Sequence, residues 1–211
     1  MKKSVLTSIK STLLPGLLTA LALLSSQNLQ ALDNGIDAYN LRKGDWIYIL
    51  SDATNKLGGN VTSVTNVATL MSYEASQGMS YIVVKASTGS TNFPSDSNHQ
   101  FTASLVTAAH NAGLKIFGYD RSYGTDVPGE IKIATNTIVL GADGYVIDAE
   151  SEWESANLPN NTTAATNLLQ GIKNVFPTRF LGHSPFMYIS LHSTFPYKQF
   201  GLFCDAAMPQ D

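Results

Sequence analysis

Apolar residues along this chain fall in short continuous runs. Each run is followed by turn residues, a stripe at helical spacing and then a glycine. The first run is Trp46-Ile47-Tyr48-Ile49-Leu50, followed by the turn Gly58-Gly59-Asn60. Val64, Val67, Leu70 and Met71 then recur at helical spacing up to Gly78. The second run is Tyr81-Ile82-Val83-Val84 with Lys85 at its end, and Phe101, Leu105, Ala108 and Ala109 form the next stripe. The third, Leu114 to Tyr119, ends at Asp120. Pro128 and Glu130 open a helix expected to run to about Leu140, since proline is tolerated where the amide has no partner. Tyr145-Val146-Ile147 is the fourth run. A helix capped by Thr162 or Thr163 carries Ala165, Leu168, Leu169, Ile172 and Phe176, and Pro177 stops it. A fifth strand is expected around Arg179 to His183 and a sixth around Cys204 to Met208.

Strands alternating with helices imply a parallel sheet, and unbroken apolar runs imply burial on both faces. Two architectures fit: an open doubly wound sheet, or a (β/α)8 barrel, which needs about 250 residues. The turn Leu50-Ser51-Asp52-Ala53-Thr54 is no dinucleotide fingerprint.

The fourth run opens into an acidic cluster, Asp148-Ala149-Glu150 with Glu152 and Glu154 beyond it. Carboxylates two residues apart on a strand share a face, and paired carboxylates are the minimum equipment for acid/base work on a glycosidic bond. Glu150 is the expected general acid, its pKa raised by burial beside a wall such as Trp153. Asp148 is the expected ionised partner. Glu152 and Glu154 read as a solvated loop face. Lys85 could pair with either carboxylate, Asp120 could touch substrate, and His183 could donate to a sugar hydroxyl or a carboxylate. Tyr119, Tyr123, Trp153, Phe186 and Tyr188 follow expected strands, where flat rings either stack on sugars or pack the loops. Ser184, Ser190 and Ser193 lack a nucleophile-elbow context. His99, His110 and His192 show no metal-ligand spacing, so neither a metal nor a cofactor is expected.

Lys2 and Lys3 precede an apolar stretch from Leu13 to Leu24, and Ala31 offers a cleavage position. Residues 1–31 therefore read as a secretory signal, and residues 32–211 as one domain that is secreted or periplasmic. Removing Lys2, Lys3 and Lys10 takes the formal charge from -3 to about -6 by subtracting three positive charges. That balance argues against nucleic acid, and no later segment is long and apolar enough to span a membrane. Cys204 is the only cysteine, so stability comes from a core rather than from disulfides. The sequon-like Asn60-Val61-Thr62 and Asn161-Thr162-Thr163 carry no functional weight.

Four segments resemble the glycoside-hydrolase-like TIM barrels, among them the lysozyme-type muramidases and a related group of secreted bacterial proteins. They are Gly35-Ile36-Asp37, Tyr81 to Gly89, Ala112 to Tyr119, and Gly141 to Glu150. The resemblance covers most of residues 35 to 150. It implies an α/β, (β/α)8 TIM-barrel type of fold, stopping after about six strands. It places the family's Asp-x-Glu on Asp148 and Glu150, and its first-strand aspartate on Asp37 or, in a second register, on Asp52. The substrate it implies is an extracellular or cell-wall polysaccharide. The alternative is a non-catalytic carbohydrate-binding or structural barrel-like domain, or an inactive fragment.

Overall fold

Six parallel strands run side by side in chain order, and this monotonic order separates a barrel-type sheet from a doubly wound one. The structure is a computed structural model that describes Ile36 and residues 40–57, 64–96, 98–154 and 156–210. The expected signal, the first-strand aspartate at Asp37 and the Gly58-Gly59-Asn60 turn lie outside the described residues.

The strands are β1 (Gly44–Ile47), β2 (Tyr81–Thr88), β3 (Thr91–Asn92), β4 (Lys115–Ser122), β5 (Gly144–Ala149), β6 (Phe180–Ser184) and β7 (Ala206–Ala207). The sheet order is β1-β2-β4-β5-β6-β7, all parallel, and β3 folds back antiparallel on β2. The helices are α1 (Leu50–Lys56), α2 (Val64–Ser76), α3 (Ala103–Asn111), α4 (Val127–Val139), α5 (Asn161–Val175) and α6 (Tyr197–Phe203). The helices that connect sequential strands pack on one face, and the sheet curls into a half-barrel.

Strand alternation divides the core accordingly. Ile82 and Val84 of β2, Ile116 of β4, Tyr145 and Ile147 of β5 and Leu181 of β6 point outward. There they meet Leu70, Met71, Leu105, Ala109, Ile138, Leu168 and Ile172 from the helices. Val83, Phe117, Tyr119, Val146 and Phe180 form a smaller cluster on the concave face, with Tyr81 and Met208 packed against it.

Local chemistry sets the boundaries. Thr102 caps α3 by accepting from the Leu105 amide at 3.2 Å. Asp126 caps α4 by accepting from Gly129 N at 3.2 Å, with Pro128 in the first turn as expected. The first strand ends earlier than the apolar run suggested, because Leu50 already opens α1. Buried Gln100 makes this possible: its Oε1 accepts from Leu50 N (2.9 Å), while its Nε2 donates to Tyr48 O (2.9 Å) and Lys85 O (2.8 Å). One side chain thus supplies the hydrogen bonds that a longer β1 would have made.

Helix α5 starts at Asn161, ahead of the expected threonine caps. The Asn161 amide donates to Trp153 O (2.9 Å) and Thr194 O (2.7 Å), so this sequon's nitrogen is committed inside the fold.

Trp153 is a core residue, not a sugar platform. It is 0 % exposed, packs edge-on against Phe200 (centroids 5.4 Å apart), and donates from Nε1 to Ser122 O at 2.9 Å. A Cβ on Gly124, whose φ is +69°, would sit 2.8 Å from the Trp153 ring, so glycine is required there. Trp153→Ala should cost about 3–5 kcal/mol in chemical denaturation, through the cavity left behind. A loss below about 1 kcal/mol would mean that the indole is not part of the core.

Candidate active site

The acidic strand end opens onto the concave face. Two hollows flank it, of about 610 Å³ and 500 Å³, and Tyr119, Asp148 and Glu150 are the wall they share. The larger is bounded by Trp46, Tyr81, Ser184 and Met208, and the smaller by Tyr48, Lys85, Arg121 and Glu152. This placement follows from parity. Asp148 pairs in register with Arg121 on one side and Ser184 on the other, and inward-facing Val146 lies two residues earlier on β5.

The two carboxyl groups have different surroundings. Burial and the neighbouring Glu150 charge push the Asp148 carboxyl up to about 6, against weaker lowering by a Gln210 hydrogen bond, Lys85 and Arg121. Glu150 is held by Arg121, whose Nη2 lies 3.1 Å from Glu150 Oε2 and 2.8 Å from Glu152 Oε1. The Gln210 amide donates to Asp148 Oδ1 at 2.5 Å and reaches Glu150 Oε1 at 3.4 Å, spanning the pair. Asp148 is thus a raised carboxyl in this cleft. Trp153, the apolar wall expected beside Glu150, lies behind the sheet.

Lys85 faces the same cleft, 4 % exposed. Its Nζ stands 4.6 Å from the Tyr48 ring centroid, 5.1 Å from Phe93 and 5.7 Å from Tyr119. Among the described residues no carboxylate oxygen lies within 4.0 Å of it, so the expected close ion pair with Asp148 or Glu150 is not formed.

Three other expected residues lie elsewhere. Asp120 has the opposite parity to Tyr119 and Arg121 and is buried behind the sheet. Its Oδ1 accepts from Asp148 N at 3.3 Å, and burial, reinforced by the Glu130 charge, raises its pKa well above the usual range. His183 also faces the helices, stacked on Phe200 at 5.2 Å, and burial lowers its pKa to about 4. Tyr188 precedes the short turn Ile189–Leu191, is 62 % exposed and lines neither hollow. The Asp52 register is not realised at the cleft either, since Asp52 lies in the first turn of α1 and lines neither hollow.

The cleft also holds residues that the sequence analysis left out: Trp46, Tyr48, Arg121 and Gln210. Trp46 is 38 % and Tyr48 55 % exposed, and Trp46 meets the Tyr119 ring edge-on at 4.9 Å. Their signal was period two: Trp46 and Tyr48 alternate along the chain from Gly44, and Arg121 follows Tyr119 on the inward face.

No family model matches the chain, and no curated protein does. Among solved structures it is similar to GH5_18 from Streptomyces cattleya in complex with GlcNAc, at 13 % identity and a TM-score of 0.49. The match covers 73 % of this chain and 47 % of that one. A variant of the same protein in complex with Manb1-4GlcNAc gives the same identity and TM-score, over 73 % and 48 %. A mandelate racemase/muconate lactonizing enzyme from Roseiflexus sp. aligns at 12 % identity and a TM-score of 0.34, over 81 % and 56 %. The chain spans about half the length of the solved structures it matches. The barrel-type fold follows from strand order and helix placement, independently of these alignments.

The raised Asp148 pKa has a consequence for stability. A folded value near 6 against an unfolded value near 3.8 means that the fold resists ionisation of this carboxyl. Its contribution is fully present below the unfolded value and is lost as pH rises through about 6. Asp148→Asn should therefore exceed the parent in unfolding free energy at pH 7.5 by on the order of 2 kcal/mol, and the gap should close below about pH 4. A pH-independent difference would contradict a raised Asp148.

Proposed function

We propose that the chain is a glycoside hydrolase, or the part of one that carries the acid/base pair, acting on an extracellular or cell-wall polysaccharide. The observation that carries this reading is the asymmetry of the two carboxyl groups in one open cleft. Asp148 retains its proton up to about pH 6, while Glu150 is paired with the Arg121 guanidinium. Such a pair divides the work of glycosidic cleavage. The Asp148 carboxyl protonates the departing glycosidic oxygen. The Glu150 carboxylate faces the positive charge that develops on the sugar ring as that bond breaks. Trp46 and Tyr48, exposed on either side, offer flat faces to sugar rings in the two hollows. Residues 1–31 are proposed to direct residues 32–211 out of the cytoplasm as one domain, which suits such a substrate. Among the described residues no helix is long and apolar enough to cross a membrane.

One observation favours a second reading, a carbohydrate-binding module without turnover. The Gln210 amide occupies the space between the carboxyl groups, where a reacting oxygen would have to sit. The two readings part in a turnover assay on soluble glycan fragments. Hydrolysis should decline as pH rises through about 6, because the acid form of Asp148 is consumed. Glu150→Gln should lower turnover by about 10²–10⁴-fold with glycan binding retained. Binding without turnover in the parent protein, lost in Trp46→Ala, would replace catalysis with the binding module.

A further inference from the structure

The amine of Lys85 is not needed for glycosidic cleavage, yet its placement is specific. It sits on the inward face of β2 just before the bulge that shifts the β2–β4 register between Lys85 and Ser87. The side chain is 4 % exposed, lines the 500 Å³ hollow, and has no ion-pair or hydrogen-bond partner for Nζ among the described residues. A desolvated lysine aimed into a cavity is suited to nucleophilic attack.

We propose that Lys85 is a carbonyl-reactive amine that forms an imine with a neutral hydroxyaldehyde or hydroxyketone bound in this hollow. This goes beyond glycan cleavage and does not require it.

The surroundings determine the class of partner. Asp148, Glu150 and Glu152 line the hollow against Lys85 and Arg121, so an anionic carbonyl compound meets repulsion while a neutral one does not. The carboxylates and tyrosine hydroxyls can accept hydrogen bonds from the partner's hydroxyl groups.

The groups acting on the amine are Asp148 of β5 and Glu150 just after it, Arg121 and Tyr119 from β4, Asp120 behind the sheet, Tyr48 after β1, and Phe93 after β3. The carboxylates and ring faces favour the ammonium. Burial opposes them, is the largest effect, and sets the net direction downward.

The step balances within the site. The neutral Nζ lone pair attacks the carbonyl carbon, and the carbonyl oxygen takes the Asp148 proton to give a carbinolamine. The Asp148 carboxylate then recovers a proton from the nitrogen and passes it to the new hydroxyl. Water departs as the C–O bond breaks, leaving a protonated imine beside ionised Asp148.

The test is competitive labelling of the full chain by glyceraldehyde with cyanoborohydride at pH 7, read lysine by lysine by peptide mass mapping. Lys85 should be labelled about tenfold or more faster than exposed Lys56 and Lys198, which serve as internal standards. Asp148→Asn should slow labelling at Lys85 alone, and Lys85→Arg should remove the fast phase. Labelling of Lys85 at or below the rate of Lys56 in the parent protein overturns the proposal, and needs no variant to fold. Since no glycan takes part, loss of glycan turnover in Glu150→Gln leaves this outcome unaffected.

Discussion

The register between β4 and β5 is the constraint on which the cleft depends. Arg121 opposite Asp148, and Asp120 opposite Ile147, assign each side chain to one face of the sheet. A slip of β4 by one residue against β5 would send Arg121 among the helices and bring Asp120 into the cleft beside Asp148. Several contacts hold the register. Glu130 of α4 accepts from the Ser122 hydroxyl and from the Tyr123 and Gly124 amides, so it anchors the end of β4. Asp120 accepts from the Asp148 amide across the strand pair, and Gly118 lets α4 approach so closely that a Cβ there would sit 2.4 Å from the Thr137 methyl. The polar groups behind the sheet position the ones in front of it.

On the concave face, burial and charge pull in opposite directions, and their balance differs from residue to residue. For Asp148, burial outweighs Lys85 and Arg121, which lie beyond salt-bridge range of its oxygens, and the proton stays on to about pH 6. Glu150 sits close enough to Arg121 to be paired directly. Lys85 lies among rings that attract a cation, yet burial moves it toward the neutral amine. Two carboxyl groups at the end of β5 and an amine on β2, with Arg121 of β4 between them, thus meet different surroundings within one cleft. The proposed chemistry draws on these contrasts.

The strand and helix rhythm was legible because burial on both faces of a parallel sheet leaves unbroken apolar runs, which can be read without knowing what they pack against. The runs at Tyr81, Leu114 and Tyr145 all became strands, and Asp148 and Glu150 reached the cleft together as a shared parity requires. Which face a strand-end residue takes was less legible. Asp120 and His183 follow apolar runs as Glu150 does, but their parity turns them to the helices. Trp153 shows the same limit: of packing and sugar stacking, the 3-10 turn Ser151–Trp153 realises packing, with the ring in the core three residues beyond Glu150. Gln210 and Gln100 could not be foreseen, because their hydrogen bonds join segments about 60 and 50 residues apart. No local pattern encodes such contacts.

The central claim is that Asp148 carries a proton close to neutral pH. Carbon-13 NMR of the aspartate side-chain carboxyls, with Asp148 assigned by its loss in Asp148→Asn, measures this directly. A titration midpoint near 6 is the result the account requires. A midpoint near the ordinary value of about 3.9 would leave Asp148 ionised and remove the proton donor on which the proposed cleavage depends.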